Sequence, residues 1–436
     1  MIDLAKLGLH TKAVARMVWR PIVSKGWLHW VRFALLLAVG SYIGHLLSES
    51  PRFADIRYAM YQKQVRLQRR GPIYPQHTVL VLLNDDDYWG RDFQARSPYK
   101  LEQLAVLLDK LNAAGANTVG FDVFLTSPLP KNPSYDFPDY VGGDEAFFAS
   151  VKRMCDAGRH VVLTAYLGST GLVNREDRFE FHEEPSIYSG RLQGLPCVAL
   201  GYVRFAEDMR KIPGLAALDT GKYMDSFSLA MVKIVDPVAY ENLVKDEDKG
   251  FRFGQYLTPQ DFDPKAGRKF ILNGIAVRTM DSMALRQAVA DRIVIVGGNW
   301  SEFAYGLGYR VDEQNSPGGL EPGAMLHANY VEAELNQDST FTPISDRTAE
   351  IVEWSLALLL ALISATGIPA GWKVSSVALS FLLSVLLTYI LMQNLGLFLD
   401  FLVPFLMVVG HTFTEELLEM RHELQHARRK LREHTK

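Results

Sequence analysis

Four long apolar runs frame the chain. The first, Trp27–Leu47, reads WLHWVRFALLLAVGSYIGHLL. At ~1.5 Å rise per residue, a helix of this length just crosses a ~30 Å hydrocarbon core. A cleaved signal peptide is the rival reading. The long n-region and the lack of a small-residue cleavage site before SESPRF disfavour it. The other three runs, Trp354–Trp372, Val374–Met392 and Leu395–Phe413, crowd the C-terminal end. The pattern predicts four transmembrane helices, one N-terminal and three C-terminal.

Between these runs the period changes. HTVLVLLNDD (77–86) is a continuous apolar run ending in acids, the pattern of a strand buried in a parallel sheet. Ser97 and Pro98 read as the N-cap and first residue of a helix. Leu101, Leu104, Leu108 and Leu111 continue it at helical spacing, and Gly115 closes it. NTVGFDVFL (117–125) and HVVLTAYL (160–167) read as strands. A helix from Asp144 lies between them, with Phe147, Phe148, Val151 and Met154 on one face. The alternation returns late: KFILNGIAV as strand, DSMALRQAVA as helix, RIVIVGG (292–298) as buried strand, and 323–336 as helix. Such alternation predicts an α/β domain with a mainly parallel sheet and right-handed crossovers. Residues 169–290 are rich in charge and turn residues and give no legible strand order.

Composition and charge set the frame. The chain is 48% hydrophobic and 22% charged, with a mean hydropathy of +0.01. That is too apolar for disorder and too charged for spans throughout. A net charge of −3 argues against a nucleic-acid binder. Residues 1–32 hold six Lys/Arg against Asp3 alone, so the long middle stretch carries the acidic excess. By the positive-inside rule, the basic start, Lys373 and the Arg428–Lys430 cluster are cytoplasmic. The expected division is a basic cytoplasmic N-terminus (1–26), a span (27–47), an extracytoplasmic domain (48–350), three spans (351–413) and a cytoplasmic helical tail (414–436).

Chemistry is sparse. Asp85, Asp86 and Asp87 end the first strand, and Asp122 lies in the second. Ligands of open parallel sheets bind at the C-terminal strand edge. Carboxylates there suit a divalent cation or a cationic or hydroxylated small molecule. The alternative is that they cap helices and satisfy loop amides. Asp312 and His327 follow RIVIVGG and would face the same crevice, or His327 is a hydrogen-bonded packing residue. A ligand site there would join Asp85, Asp86, Asp122, Asp312 and His327. Which metal or cofactor it would hold, if any, is not legible. GGNWSEFAYGLGYR lacks a well-placed G-x-G-x-x-G, and neither a P-loop nor a kinase motif set is present. No catalytic constellation has a local signature, so a non-enzyme is expected. Cys155 and Cys197 fall in the oxidising compartment, where they form a disulfide or Cys155 is simply packed.

In the tail, Leu417, Met420, Leu424, Ala427 and Leu431 recur at 3, 4, 3, 4 spacing. This is the seam of a parallel coiled coil, and it predicts a homodimer. The alternative is a basic helix resting on anionic lipid.

Ordered features also resemble a known family. They are a single N-terminal span with Pro51, Arg52 and Arg57 after it, LLNDDDYW, GANTVGFDVFL with Asp122, and Asp144. GYVRFAEDMRKIPGL with Gly201 and Asp208, DRIVIVGG, EPGAMLHAN with His327, and three C-terminal spans complete the order. The chain resembles the second type of CHASE domain, the Cyclases/Histidine-kinases-Associated Sensory Extracellular domain, over roughly residues 25–413. Asp208-Met209-Arg210 departs from that family's Asp-Gly turn before Arg. The resemblance implies a multi-pass protein of the bacterial inner membrane. Its periplasmic domain would bind a ligand or envelope partner. Family members commonly continue into a cyclase or kinase domain, whereas residues 414–436 are far short of the ~100 residues such a domain needs. The signal would therefore pass to a separate protein. A structural or assembly subunit of an envelope complex, with no signalling role, is the alternative.

Overall fold

A computed structural model of the chain describes chiefly residues 74–95, 99–123, 143–173, 179–184, 194–205, 212–246, 257–262 and 269–336, the last with a gap at 305–307, plus scattered positions elsewhere. The four expected spans, the basic start and the tail fall almost wholly outside the described residues. Among the described residues no helix is long and apolar enough to cross a membrane. The chain divides into two compact units, Gln62–Thr342 and a second made of Met1–Tyr61 with Pro343–Lys436. The following concerns the first.

Six strands form the central sheet: β1 (Thr78–Leu83), β2 (Thr118–Asp122), β3 (His160–Ala165), β4 (Val198–Tyr202), β5 (Ile271–Asn273) and β6 (Ile293–Gly298). Their spatial order is β5-β1-β6-β2-β3-β4, and every pairing is parallel. All six residues of β1 and all six of β6 are buried. That explains their unbroken apolar runs, since a central parallel strand is covered on both faces.

Helices cover both faces. On one lie α2 (Leu101–Ala114), α3 (Gly143–Asp156), α5 (Gly274–Thr279) and α6 (Ser282–Val289); on the other lie α4 (Phe227–Val235) and α7 (Gly323–Leu335). The short α1 (Asp85–Tyr88) follows β1 directly. Helix α2 buries Leu104, Leu107, Leu108 and Leu111 and ends at Gly115 with φ +94°, a left-handed C-cap. It starts after Lys100, which makes no side-chain cap, so Ser97 and Pro98 are not its first residues. They lie outside the described residues.

Two further expectations are corrected. KFILNGIAV is not one strand, because the Asn273 side chain accepts the Ala276 N–H and starts α5 after only three strand residues. The acids after β1 do not extend it. Asn84 caps α1 in a reciprocal capping box with Asp87, and a box of that kind favours helix over strand. The middle of the chain holds β4, α4 and a small mixed sheet of Leu167–Val173, Phe179–Glu183, Leu215–Leu218 and Tyr223–Asp225.

Two devices tie the layers. Cys155 at the end of α3 and Cys197 before β4 are joined by a disulfide, with Cα atoms 5.3 Å apart. The buried Glu332 carboxylate of α7 accepts the backbone N–H groups of Gln76, His77 and Thr78 and the Thr78 hydroxyl. It thereby satisfies the start of β1, which would otherwise be unpaired in the interior.

Candidate functional site

Chain direction creates the site. β1 and β2 lead to helices on one face, whereas β6, between them, leads to α7 on the other. Neighbouring strands that leave a parallel sheet in opposite directions open a crevice at their C-terminal ends.

Asp122 is the last residue of β2 and pairs with Gly297 of β6 in the register. His327 lies one turn into α7, which is buried along its whole length from Gly323 to Glu334. Its Nε2 is 3.8 Å from Asp122 Oδ1, beyond hydrogen-bond range. The histidine is 2% exposed and the aspartate side chain 9%. Among the described residues neither His327 ring nitrogen nor Asp122 Oδ2 has a hydrogen-bond partner. Unmet buried polar groups of this kind are rare and costly. Gly297 makes the close approach possible, because a Cβ there would run into Ala324 Cβ of α7.

Asp312 stands at the exposed rim. Its carboxylate accepts Gln314 Nε2–H at 2.9 Å, and its carbonyl accepts the Gly323 N–H at 2.9 Å. It has φ +54°, a left-handed conformation that Asp tolerates better than most residues. Gly323 accommodates it, since a Cβ at 323 would overlap the Asp312 carboxylate.

Burial dominates the electrostatics. Desolvation raises the Asp122 carboxyl well above its usual range, and the nearby Asp312 adds to this. Desolvation also raises Asp312, against hydrogen bonds from Gln314 and Gly323. His327 is pushed down to about 3 by burial, so the imidazole is neutral. Tyr99 and Tyr166 lie close enough that both carboxylates raise their hydroxyls further, on top of the larger effect of burial. Phe205 stacks on the His327 ring at 4.9 Å, and Phe227 meets it edge-on at 5.1 Å. Among the described residues no Lys or Arg forms an ion pair with Asp122 or Asp312.

The other acids differ. Asp85 accepts the Ser301 N–H at 2.5 Å and its hydroxyl at 2.9 Å. Asp86 is exposed. Asp87 is fully buried against Arg278 at 3.2 Å and accepts from Asn84 N and Gly274 N. Desolvation raises it, offset by those hydrogen bonds and by Arg278. Of the expected five, Asp122, Asp312 and His327 are brought together. Among the described residues no hydrogen bond or ion pair links Asp85 or Asp86 to them. Among the described residues no group of three or more His, Cys, Asp or Glu is arranged to hold a metal ion.

Phe205, Tyr99 and Tyr166 were not legible as site residues. Only their aromaticity near strand ends could have pointed to them.

Fold and site together define a three-layer α/β domain with two carboxylates and a neutral histidine, flanked by aromatic rings, at the carboxyl edge of its sheet. Residues 33–368 match the family model described as CHASE2 domain, and the chain belongs to that family. This is a sensory domain family, and the chain's role is accordingly sensor-like. No curated protein and no solved structure matches the chain.

Proposed function

We propose that the chain is a multi-pass receptor of the bacterial inner membrane. Its α/β domain, within 48–350, faces the periplasm, and spans at 27–47 and 351–413 leave both termini in the cytoplasm. The domain binds a ligand at the Asp122–Asp312–His327 crevice and passes the change to a separate cytoplasmic protein through the 414–436 seam of a homodimer. No catalytic step is part of this role. The observation that carries it is the buried Asp122–His327 pair, unpartnered at the strand edge where parallel α/β sheets bind ligands. The basic N-terminus and the Arg428–Lys430 cluster support the orientation.

The tests run from topology to coupling. Alkaline phosphatase fused at residue 200 should be active and at residue 436 inactive; activity from the tail fusion refutes the orientation. Leu424→Cys should cross-link between protomers in native membranes. The yield should change when Asp122→Asn or His327→Gln is added. An unchanged yield separates the crevice from the tail and sinks the relay.

One observation favours a second reading. Leu172, Val173 and Phe179 of the small sheet are 62%, 52% and 65% exposed, as a docking surface in an envelope assembly would be. A stoichiometric envelope protein co-purifying after mild detergent extraction, with no kinase or cyclase, would support it over sensing.

A further inference from the structure

Among the described residues the crevice offers acceptors and no Lys or Arg paired with them. Asp122 Oδ2 and both ring nitrogens of His327 are buried and unpartnered. Asp312 stands at the rim, its carboxylate accepting from Gln314 and, though raised by burial, lowered also by the Gly323 N–H. Two carboxylates in one place ordinarily draw an Arg or Lys, as Asp87 draws Arg278; among the described residues these two have none. His327 does not serve as the internal cation, since its ring lies against Phe205, Phe227 and Tyr330 and is 2% exposed.

We infer that the crevice binds the protonated amine of a small organic molecule. The primary ammonium donates to Asp122, to the free-electron-pair nitrogen of neutral His327 and to Asp312. An ammonium has three N–H donors and no acceptor, which suits a site of acceptors, with Asp122 and His327 3.8 Å apart and Asp312 near enough to raise the Asp122 carboxyl. Tyr99 and Tyr166, near both carboxylates, add ring faces of the kind that attract cations. A metal ion fits less well, for want of a three-ligand cluster among the described residues. The assignment rests on the crevice being the ligand site and names the ligand's chemical class.

Protons follow. Among the described residues the titratable groups that face the site are Asp122, Asp312, His327, Tyr99, Tyr166 and Tyr330. Burial raises the Asp122 carboxyl and a bound cation favours its ionised form, so a proton held there passes to solvent. Binding therefore releases a proton and tightens as pH rises.

The test is calorimetry on the full chain in lipid nanodiscs with four probes: putrescine, 1,4-butanediol and succinate, which share a four-carbon chain, and calcium chloride. Putrescine should bind at millimolar or lower concentration. Its heat should depend on the buffer's ionisation enthalpy. Asp122→Asn should weaken it by about 10- to 100-fold, as expected for losing a charged hydrogen bond, and Asp312→Asn by less. Retained Cys155–Cys197 pairing and an unchanged gel-filtration profile show that each variant is folded. If butanediol, succinate or calcium binds and Asp122→Asn abolishes it, while putrescine fails, the crevice stands and the ammonium assignment falls. Putrescine binding that both variants leave unchanged lies elsewhere and overturns the assignment. If none of the four binds, the assignment is also overturned, and the cross-linking response to Asp122→Asn decides the crevice separately.

Discussion

Two acidic groups sit at the carboxyl edge of one sheet, and they do opposite things. After β1, Asp85 holds the Ser301 backbone and hydroxyl, and Asp87 holds Arg278, Asn84 and Gly274. After β2, Asp122 lies 3.8 Å from a histidine with neither ring nitrogen bonded. Position and residue type are the same; the difference is whether the neighbours complete the hydrogen bonds. A carboxylate with its partners in place is structure. One buried without them waits for a partner or a proton.

The largest expected contrast is in stability. Asp87→Ala leaves the Asn84 and Gly274 backbone N–H groups unmet and removes one of the two carboxylates paired with Arg278, which keeps Asp92 at 2.8 Å. It should destabilise the domain by about 2–4 kcal/mol, since each buried donor left unmet costs about 1–3 kcal/mol. Asp122→Asn removes no hydrogen bond present among the described residues and should stay within about 1 kcal/mol of wild type, on either side. Thermal unfolding in nanodiscs compares them, and similar losses for both would erase the distinction. Next, Asp85→Ala should cost about 1–3 kcal/mol by leaving Ser301 unmet, with putrescine binding unchanged. Loss of binding would show that the two acidic groups are one site.

A finer contrast is the pH profile. Burial raises the folded Asp122 carboxyl above its ordinary 3.8, so between the two values the folded state holds the extra proton. That contribution is full below 3.8 and is lost as pH rises toward the folded value. For His327 the folded value falls from 6.5 to about 3, so stability is lost as pH drops through that window. Above 3.8 the Asp122 contribution falls as pH rises, and below 6.5 the His327 contribution falls as pH drops, so the two run in opposite directions. Asp122→Asn should flatten the decline with rising pH, and His327→Gln should reduce the acid loss. Unchanged profiles in both would mean that neither group is buried as described.

The same contrast explains what the sequence disclosed. β1, β2, β3 and β6 were legible because strands buried on both faces show as unbroken apolar runs. Helix α7 was legible from its spacing, although its burial on every side was not. The small sheet was not legible. Leu167–Val173 is mostly exposed, so no alternation marks it. β5 was overextended because Asn273 looks like any polar strand residue until its capping bond is seen. Carboxylate and histidine types at the strand edge pointed to the crevice. Only three dimensions separate Asp122, which lacks partners, from Asp85 and Asp87, which have them. Glu332, which secures β1 from over 250 positions away, left no local trace.

Among the described residues Asp122 Oδ2 has no hydrogen-bond partner, and burial favours the protonated carboxyl over the carboxylate. Infrared difference spectroscopy at neutral pH measures this directly, comparing the full chain with Asp122→Asn and Asp85→Asn. The protonated-carboxyl stretch should disappear in Asp122→Asn and persist in Asp85→Asn. If Asp122→Asn leaves that band unchanged, Asp122 is ionised beside a partner of its own and the crevice is complete without a ligand.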